Sequence, residues 1–156
     1  EMLKENGYTT GIFGKWHLGS RKEFFPTNHG FDQFNGILYS NDMWRWHPEY
    51  PEGYPEDLLL YKNETPIKEI TDQSDLTKDI TSESIRFIEE NKDGPFFLYI
   101  AHPQPHVPLF VSKDFEDITG NGLYADVITE IDYSVGRILN SLEENGLSEN
   151  TIVVFK

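Results

Sequence analysis

A short segment near the start of the sequence combines basic and imidazole side chains with glycines. In GKWHLGS, Lys15 and His17 are one residue apart, and glycines stand on either side of the pair. In an extended segment the two side chains point the same way and Trp16 points to the opposite side. An ammonium beside an imidazole suits an anionic substrate, because Lys neutralises developing charge and His exchanges protons near neutral pH. The alternative is an exposed basic turn anchored by Trp16, and the residue types alone favour this alternative.

A second segment, HPQPHVPL, holds two histidines among prolines. Pro103, Pro105 and Pro108 restrict the backbone around His102 and His106. A restricted backbone helps to hold a general acid in place. A loop histidine that only makes structural hydrogen bonds is the alternative.

Zinc hydrolysis is a further possibility, with His17, His102 and His106 as ligands. Their spacing matches no compact helical zinc motif, so this interpretation requires ligands from separate loops. It is the weaker one.

Aromatic residues are concentrated in the segment ILYSNDMWRWHPEYPEGY. Exposed aromatic rings suit the apolar faces of sugars, while the polar groups beside them suit sugar hydroxyls. A long loop also needs a small core of its own, so the same rings could be buried. The aromatic residues are Tyr39, Trp44, Trp46, Tyr50 and Tyr54, and the acidic residues Glu49, Glu52, Glu56 and Asp57 form the expected solvated edge beside them.

Composition restricts the class of protein. The chain has 156 residues, with 13 Lys and Arg against 27 Asp and Glu, for a net charge of −14. Such an acidic chain is not expected to bind nucleic acid or an anionic membrane surface through its overall charge. It contains no cysteine, which excludes disulfides and thiolate metal sites. No apolar run approaches the roughly 20 residues that a membrane span needs.

Three times a helical stretch, a glycine and an apolar strand follow one another. The helical stretches EMLKENG, ITSESIRFIEENKDG and GLYADVITEIDYSVGRILNSLEENG precede the strands YTTGIFG, PFFLYIA and TIVVF. We expect Gly7, Gly94 and Gly146 to end the helices in left-handed conformation. Apolar residues of the third helix share one face, which we expect to pack on a sheet: Tyr124, Val127, Ile128, Ile131, Val135, Ile138, Leu139 and Leu142.

Alternating helices and strongly apolar strands predict an α/β fold with a mainly parallel sheet covered on both faces. Ligands of such sheets bind beyond the carboxyl ends of the strands, and both histidine segments follow a strand. Residues 20–79 show little periodicity, so they form either a functional loop-rich insertion or a set of small elements. Because the sequence starts within a helix and stops within a strand pattern, we expect the chain to continue on both sides.

Taken together, the motifs resemble the sulfatase family over nearly the whole chain. GYTTGIFGKWHLG is similar to the family signature Gly-Tyr-x-Thr-x-x-x-Gly-Lys-Trp-His-x-Gly. PTNHGFDQFNGILYSND, PFFLYIAHPQPHVPLF and the stretch from YADVITEIDYSV to NTIVVF resemble the segments that follow it, in the family's order. The likeness is greatest to the arylsulfatase A and galactosamine-6-sulfatase branch.

This resemblance implies an alkaline-phosphatase-like α/β fold, of which residues 1–156 would be the central part of a catalytic domain. It implies hydrolysis of a sulfated carbohydrate or aryl sulfate, with calcium and a formylglycine nucleophile. By position, Lys15 would contact sulfate and the formylglycine, His17 would bond the formylglycine hydrate, His106 would face the bridging ester oxygen, and Ser40 would contact sulfate. His102 matches no catalytic position. A periplasmic or extracellular location is implied by the resemblance alone.

The sequence departs from the family pattern in what it lacks. It contains no Cys/Ser-x-Pro-Ser-Arg nucleophile motif and no paired aspartates for calcium. We therefore expect the calcium ligands and the nucleophile outside this chain, and the chain alone to be inactive. Three alternatives remain: a phosphodiesterase or phosphonate hydrolase of the same superfamily, a non-catalytic glycan-binding module that uses Trp44 and Trp46, and a pseudoenzyme.

Overall fold

The computed structural model describes residues 1–51 and 53–156 and has a five-stranded mixed sheet at its centre. The strands are β1 (Thr9–Lys15), β2 (Gln33–Ile37), β3 (Leu59–Lys62), β4 (Thr65–Glu69) and β5 (Phe96–Ala101), in the order β4-β3-β2-β1-β5. β1 pairs in parallel with β2 and β5, whereas β2 with β3 and β3 with β4 are antiparallel. The helices are α1 (Met2–Glu5), α2 (Leu76–Asn91) and α3 (Leu123–Glu144). The predicted α/β fold is confirmed, and its sheet is mixed, with two parallel and two antiparallel pairings among the described strands.

β1 is the central strand of the parallel part and is buried on both faces. Phe13 packs in one cluster with Ile80 and Phe87 of α2, and Ile12 packs on the other face with Phe25 and Phe34. Alternate residues of a strand point to opposite faces, so an unbroken apolar run fits a strand covered on both sides.

β5 is an edge strand with only one covered face. Phe96 and Leu98 pack against the cluster around Phe13, whereas Phe97 and Tyr99 are exposed. The prediction of covering on both faces is therefore wrong for β5 within the described residues, since Phe97 and Tyr99 on its second face are 39% and 50% exposed.

α3 packs mainly against α2 and not on the sheet, which corrects the prediction for its apolar face. The Thr81 and Ser134 hydroxyl groups form a buried hydrogen bond of 2.6 Å between the two helices. These small side chains allow the helices to approach, and α2 separates α3 from the strands. Part of the predicted apolar face, including Tyr124, Ile128 and Leu139, is exposed.

Two of the three predicted glycine helix ends are confirmed. Gly7 and Gly146 have φ of 82° and 70°, in the left-handed region that glycine enters without steric cost. The prediction is wrong for Gly94: α2 ends at Asn91 and is followed by Lys92 in right-handed conformation, without a positive φ at the glycine.

The predicted strand TIVVF is not part of the sheet. Its residues 151–155 form no ladder with β1–β5, and Ile152 and Val154 are 92% and 82% exposed. β-branched residues favour an extended backbone, but a strand also needs a hydrogen-bonding neighbour, and none of the described strands lies beside this segment.

Residues 20–79 contain small elements of structure, which the sequence left as one of two possibilities. They include β2, β3, β4 and two single-turn 3-10 helices, Lys22–Phe24 and Pro26–Asn28. Glu49, Glu56 and Asp57 are exposed, as predicted, whereas Glu52 lies outside the described residues. No helix of residues 1–51 and 53–156 combines the length and apolarity that crossing a membrane requires.

Candidate active site

Three loops meet at the carboxyl ends of three adjacent strands. They are residues 16–20 after β1, residues 38–44 after β2 and residues 102–108 after β5. The Trp16 and His17 N–H groups donate to the Ile37 and Leu38 carbonyls at 2.9 and 3.1 Å, so the first two loops run side by side. The Asn41 side chain joins the second loop to the third by donating to the His106 carbonyl at 3.1 Å. The predicted site segments therefore lie together at the carboxyl ends of the strands.

Glycines draw these strands together immediately below the loops. A Cβ on Gly14, which has φ of 113°, would lie 1.9 Å from the Ala101 carbonyl oxygen. A Cβ on Gly36 would lie 1.8 Å from the Gly14 carbonyl oxygen. Any side chain at either position would push the strands apart, so these glycines set the spacing of the loops.

Trp16 anchors the first loop on the side away from the other two. Its Nε1–H donates to the Phe24 carbonyl at 2.8 Å, and its ring lies against His29 and Phe31 with centroid distances of 6.1 and 6.2 Å. The predicted inward orientation of Trp16 is confirmed. His17 is exposed and has φ of 54°, which is outside the extended region. The expected alignment of the Lys15 and His17 side chains assumes an extended backbone, and that backbone ends before His17.

Asp42 lies among three of the predicted site residues. Partial burial raises the pKa of this carboxyl, but the nearby Ser40 hydroxyl, its own backbone and the positive charges of His106 and Lys15 outweigh burial, so the net pKa is lowered. Lys15 is half-buried at the end of β1 and His106 is exposed. Lys15, Ser40 and His106 thus lie close enough to Asp42 to influence its carboxylate.

His106 is oriented by its own loop. Its Nδ1 lies 2.6 Å from the Val107 carbonyl oxygen. A carbonyl oxygen accepts hydrogen bonds and does not donate them, so Nδ1 carries a hydrogen and Nε2 is left for exchange with a ligand. When Nε2 is also protonated, it can donate that proton to a ligand while Nδ1–H stays bonded to the Val107 carbonyl.

The loop after β2 holds consecutive polar atoms without partners. Ser40 Oγ, Asn41 Oδ1 and Asp42 Oδ1 are buried and accept or donate no hydrogen bond of normal geometry within the described part of the chain. Ser40 itself is 3% exposed. A buried hydroxyl without a partner is destabilising by about 1–3 kcal/mol, and a ligand that reached it would recover this energy.

His102 lies away from the ligand-facing side of its loop. Its Nε2 is 3.3 Å from Ser134 Oγ on α3, and its enclosure by protein lowers the pKa of the imidazole to about 4. The ring is therefore neutral near pH 7 and occupies a structural position between the loop and α3.

The zinc interpretation finds no support in this geometry, and the interpretation of an exposed aromatic surface is wrong for Trp44. No group of three or more His, Cys, Asp or Glu side chains in residues 1–51 and 53–156 could hold a metal ion, so the zinc interpretation of His17, His102 and His106 lacks a site. Trp44 is 2% exposed and donates from Nε1 to the Ile70 carbonyl at 2.7 Å, so it belongs to the core and not to an exposed platform. Tyr39, Trp46 and Tyr50 are exposed, and Tyr54 is half-buried.

Sequence reasoning identifies Lys15, His17, Ser40 and His106 but not Asn41 or Asp42. Their only signal is that they follow Ser40 in the sequence. The hydrogen bond of Asn41 with the loop after β5 spans 65 residues, and no local pattern reports it.

The family model described as Sulfatase matches residues 1–156. The chain is 39% identical to N-acetylgalactosamine-6-sulfatase of Mus musculus and 37% identical to an arylsulfatase of Hemicentrotus pulcherrimus. Each alignment covers 99% of this chain but 31% and 30% of those proteins. The chain thus spans about a third of the length of the curated relatives that it matches.

Solved structures agree with the fold. The PsFucS1 sulfatase of Pseudoalteromonas sp. superimposes with a TM-score of 0.82 at 24% identity, covering 96% of this chain and 35% of that one, and this likeness shows the fold alone. Ps i-CgsB, solved in complex with k-i-k-neocarrahexaose, gives a TM-score of 0.76 at 30% identity, covering 96% and 37%. The predicted alkaline-phosphatase-like fold of sulfatases is confirmed for the part that the chain contains.

Proposed function

The chain belongs to the sulfatase family, and we propose that residues 1–156 form the central part of a catalytic domain that hydrolyses sulfate esters. The observation that carries this proposal is that the loops with Lys15 and His17, with Ser40 and with His106 meet at the carboxyl ends of β1, β2 and β5, joined by the backbone hydrogen bonds of Trp16 and His17 and by the Asn41 side chain. Cationic and hydrogen-bond-donating groups at one edge of a parallel sheet suit a small tetrahedral anion.

Lys15 binds the sulfate group in this proposal. Its position at the end of β1 holds the ammonium where negative charge on the sulfate oxygens increases as the ester bond breaks. Ser40 adds a buried hydroxyl donor near Asp42, and this hydroxyl forms no hydrogen bond of normal geometry within the described residues. Asp42 adds a negative charge to this site, and the charges of His106 and Lys15 help to lower the pKa of its carboxyl.

His106 acts as the general acid. The S–O bond to the departing alcohol breaks, and the bridging oxygen takes the proton from Nε2, while Nδ1–H stays bonded to the Val107 carbonyl. His17, which is exposed beside this loop, supports the nucleophile side of the reaction by hydrogen bonding.

Calcium and the formylglycine nucleophile are supplied by residues outside this chain. The described residues offer no set of carboxylates for a metal ion, and the chain contains no Cys/Ser-x-Pro-Ser-Arg motif, so its own residues do not fit either group. We derive no step through them, and we propose that the 156-residue chain alone does not turn over substrate.

The proposed substrate is a sulfated carbohydrate, with small aryl sulfates as convenient assay substrates. The printed names of the relatives include an N-acetylgalactosamine-6-sulfatase and an arylsulfatase. Sulfated glycans occur mostly outside the cytoplasm, which supports a periplasmic or extracellular location.

Two substitutions in the full-length protein test the roles on a series of aryl sulfates with leaving groups of increasing basicity. His106→Ala should reduce kcat by roughly 100-fold or more for the most basic leaving group and much less for the least basic, because only a basic leaving group needs the proton. Lys15→Ala should reduce kcat/KM by roughly 100-fold for every member of the series, because charge neutralisation does not depend on the leaving group.

Lys22→Ala is the matched control. Lys22 follows in the same segment but forms an exposed ion pair with Glu64 at 3.3 Å, so its loss should leave the kinetics unchanged. A loss of rate for His106→Ala that does not grow with leaving-group basicity would contradict the acid role. Greater turnover of phosphate diesters than of sulfate esters would favour the phosphodiesterase alternative.

A further inference from the structure

A buried carboxamide links the loop after β2 to the loop that carries the proposed general acid. Asn41 is 0% exposed, and its Nδ2 donates to the His106 carbonyl at 3.1 Å and reaches the Val107 carbonyl at 3.5 Å. We propose that Asn41 is a positioning residue, which fixes the two successive backbone carbonyls that follow the His106 side chain so that its Nε2 faces the ester oxygen. This inference rests on the proposed sulfatase function.

The Val107 carbonyl connects Asn41 to the imidazole. The same oxygen accepts the His106 Nδ1–H at 2.6 Å and lies within reach of Asn41 Nδ2. The direction of this carbonyl therefore determines both the tautomer and the orientation of the ring. Asn41 exchanges no proton in the reaction: the proton moves from His106 Nε2 to the bridging oxygen, and Nδ1–H remains on the carbonyl.

Asn41 is itself held from a different element. Gln73, which is buried just before α2, donates from Nε2 to the Asn41 carbonyl at 2.7 Å. This bond fixes the Asn41 backbone, so the carboxamide projects from a rigid point toward the His106 loop. A chain of two buried amides thus connects the start of α2 to the proposed general acid.

His106 needs such support because the rest of its surroundings are open. His106 and Val107 are both exposed, and neither side chain is enclosed by the core. A misplacement of about 1 Å in a catalytic group can reduce a rate by roughly 100-fold. The two amide contacts restrict the exposed loop where packing does not.

The test measures coupling between Asn41 and His106 in the full-length protein. Asn41→Ala should lower kcat by roughly 10-fold to 100-fold for the most basic aryl leaving group, with little change for the least basic and with KM nearly constant. In the His106→Ala background the same substitution should add less than about twofold, because a positioning residue has no effect once the group that it positions is gone.

Trp44→Phe is the matched control for loss of a buried hydrogen bond in the same loop. It removes the donor to the Ile70 carbonyl and keeps an aromatic ring in the core. Trp44→Phe should lower the free energy of unfolding by an amount comparable to that for Asn41→Ala. The rate of the Trp44→Phe protein should depend on the leaving group as the rate of the unsubstituted protein does.

A second variant and a second measurement cover a failure to fold. Asn41→Leu keeps the branching and the number of heavy atoms of the side chain and lacks both donor hydrogens, so it should reproduce the kinetics of Asn41→Ala. In the unsubstituted protein, ¹⁵N NMR of labelled histidine should show His106 protonated at Nδ1 when neutral. A neutral His106 protonated at Nε2 would overturn the inference without any variant.

The outcomes separate this inference from the proposed function. If His106→Ala itself shows no dependence on the leaving group, the general-acid role fails. If His106→Ala shows it and Asn41→Ala does not, or if the two losses simply multiply, the role of Asn41 in positioning is wrong and the acid role stands.

Discussion

At the residue scale, His102 shows how enclosure converts a titratable side chain into a structural one. It belongs to the same proline-rich loop as His106, only four positions earlier. The ring of His102 contacts Ser134 of α3 and is enclosed, whereas His106 is exposed. Two histidines of one loop therefore differ in their surroundings, because one contacts α3 and the other is exposed at the proposed site.

His102 predicts a loss of stability in mild acid. Its pKa is about 4 in the folded chain and about 6.5 when unfolded, so as the pH falls the unfolded chain takes up the proton first. The stabilising contribution is complete above pH 6.5 and is lost as the pH falls toward 4, amounting to about 3 kcal/mol. Urea unfolding of the unsubstituted chain and of His102→Gln at pH 7.5 and pH 4.5 measures this difference.

The His102→Gln chain is the control in that experiment, since it retains all the carboxylates that also titrate in this range. The unsubstituted chain should lose more stability between the two pH values than His102→Gln does. Equal losses in both chains would show that His102 is not enclosed in the folded state.

At the element scale, the contact between β1, β2 and β5 depends on the absence of side chains at two positions. Gly36→Ala should destabilise the fold by at least about 3 kcal/mol, because its Cβ would lie 1.8 Å from the Gly14 carbonyl oxygen, and backbone atoms of a central strand do not yield easily. Thermal or urea unfolding of the variant measures the loss.

Gly136→Ala is the control substitution for this prediction. Gly136 lies within α3 with no atom within 4 Å of its would-be Cβ, and alanine is the better helix former. This variant should be more stable by about 0.5 to 1 kcal/mol. A small effect of Gly36→Ala, similar in size to that of Gly136→Ala, would contradict the close approach of the strands.

At the scale of the whole molecule, apolar surface and net charge act against each other. Phe97 and Tyr99 of β5 and residues 152–155 are exposed, while the net charge of −14 makes copies of the chain repel. We expect the isolated chain to be monomeric at low salt and to associate as salt increases, because the screening length falls from about 10 Å at 0.1 M to about 3 Å at 1 M.

Sedimentation velocity across this range of salt measures the association, with circular dichroism as the check on folding. Serine at both Ile152 and Val154 should reduce the association at high salt, since both side chains are mostly exposed. An association that weakened with salt would indicate contacts between charged groups instead of apolar ones.

The sequence by itself determined the elements whose signals are local. The apolar run of β1, the helical periodicity of α2 and α3, and the Lys15, His17, Ser40 and His106 motifs could all be identified from neighbouring residues. Propensity, periodicity and motif spacing are properties of residues that are close in the sequence. They can therefore be recognised without knowledge of the fold.

Only the tertiary structure decided which elements meet. Four features of the structure differ from what the local patterns predict: the packing of α3 on α2, the one-sided covering of β5, the unpaired residues 151–155 and the conformation of Gly94. Asn41 and Asp42 acquire their roles through strand order, which places the loop after β2 beside a loop about 65 residues away. Such contacts depend on the arrangement of whole elements. They could not be predicted from the sequence, because short-range interactions do not select between alternative arrangements of the same elements.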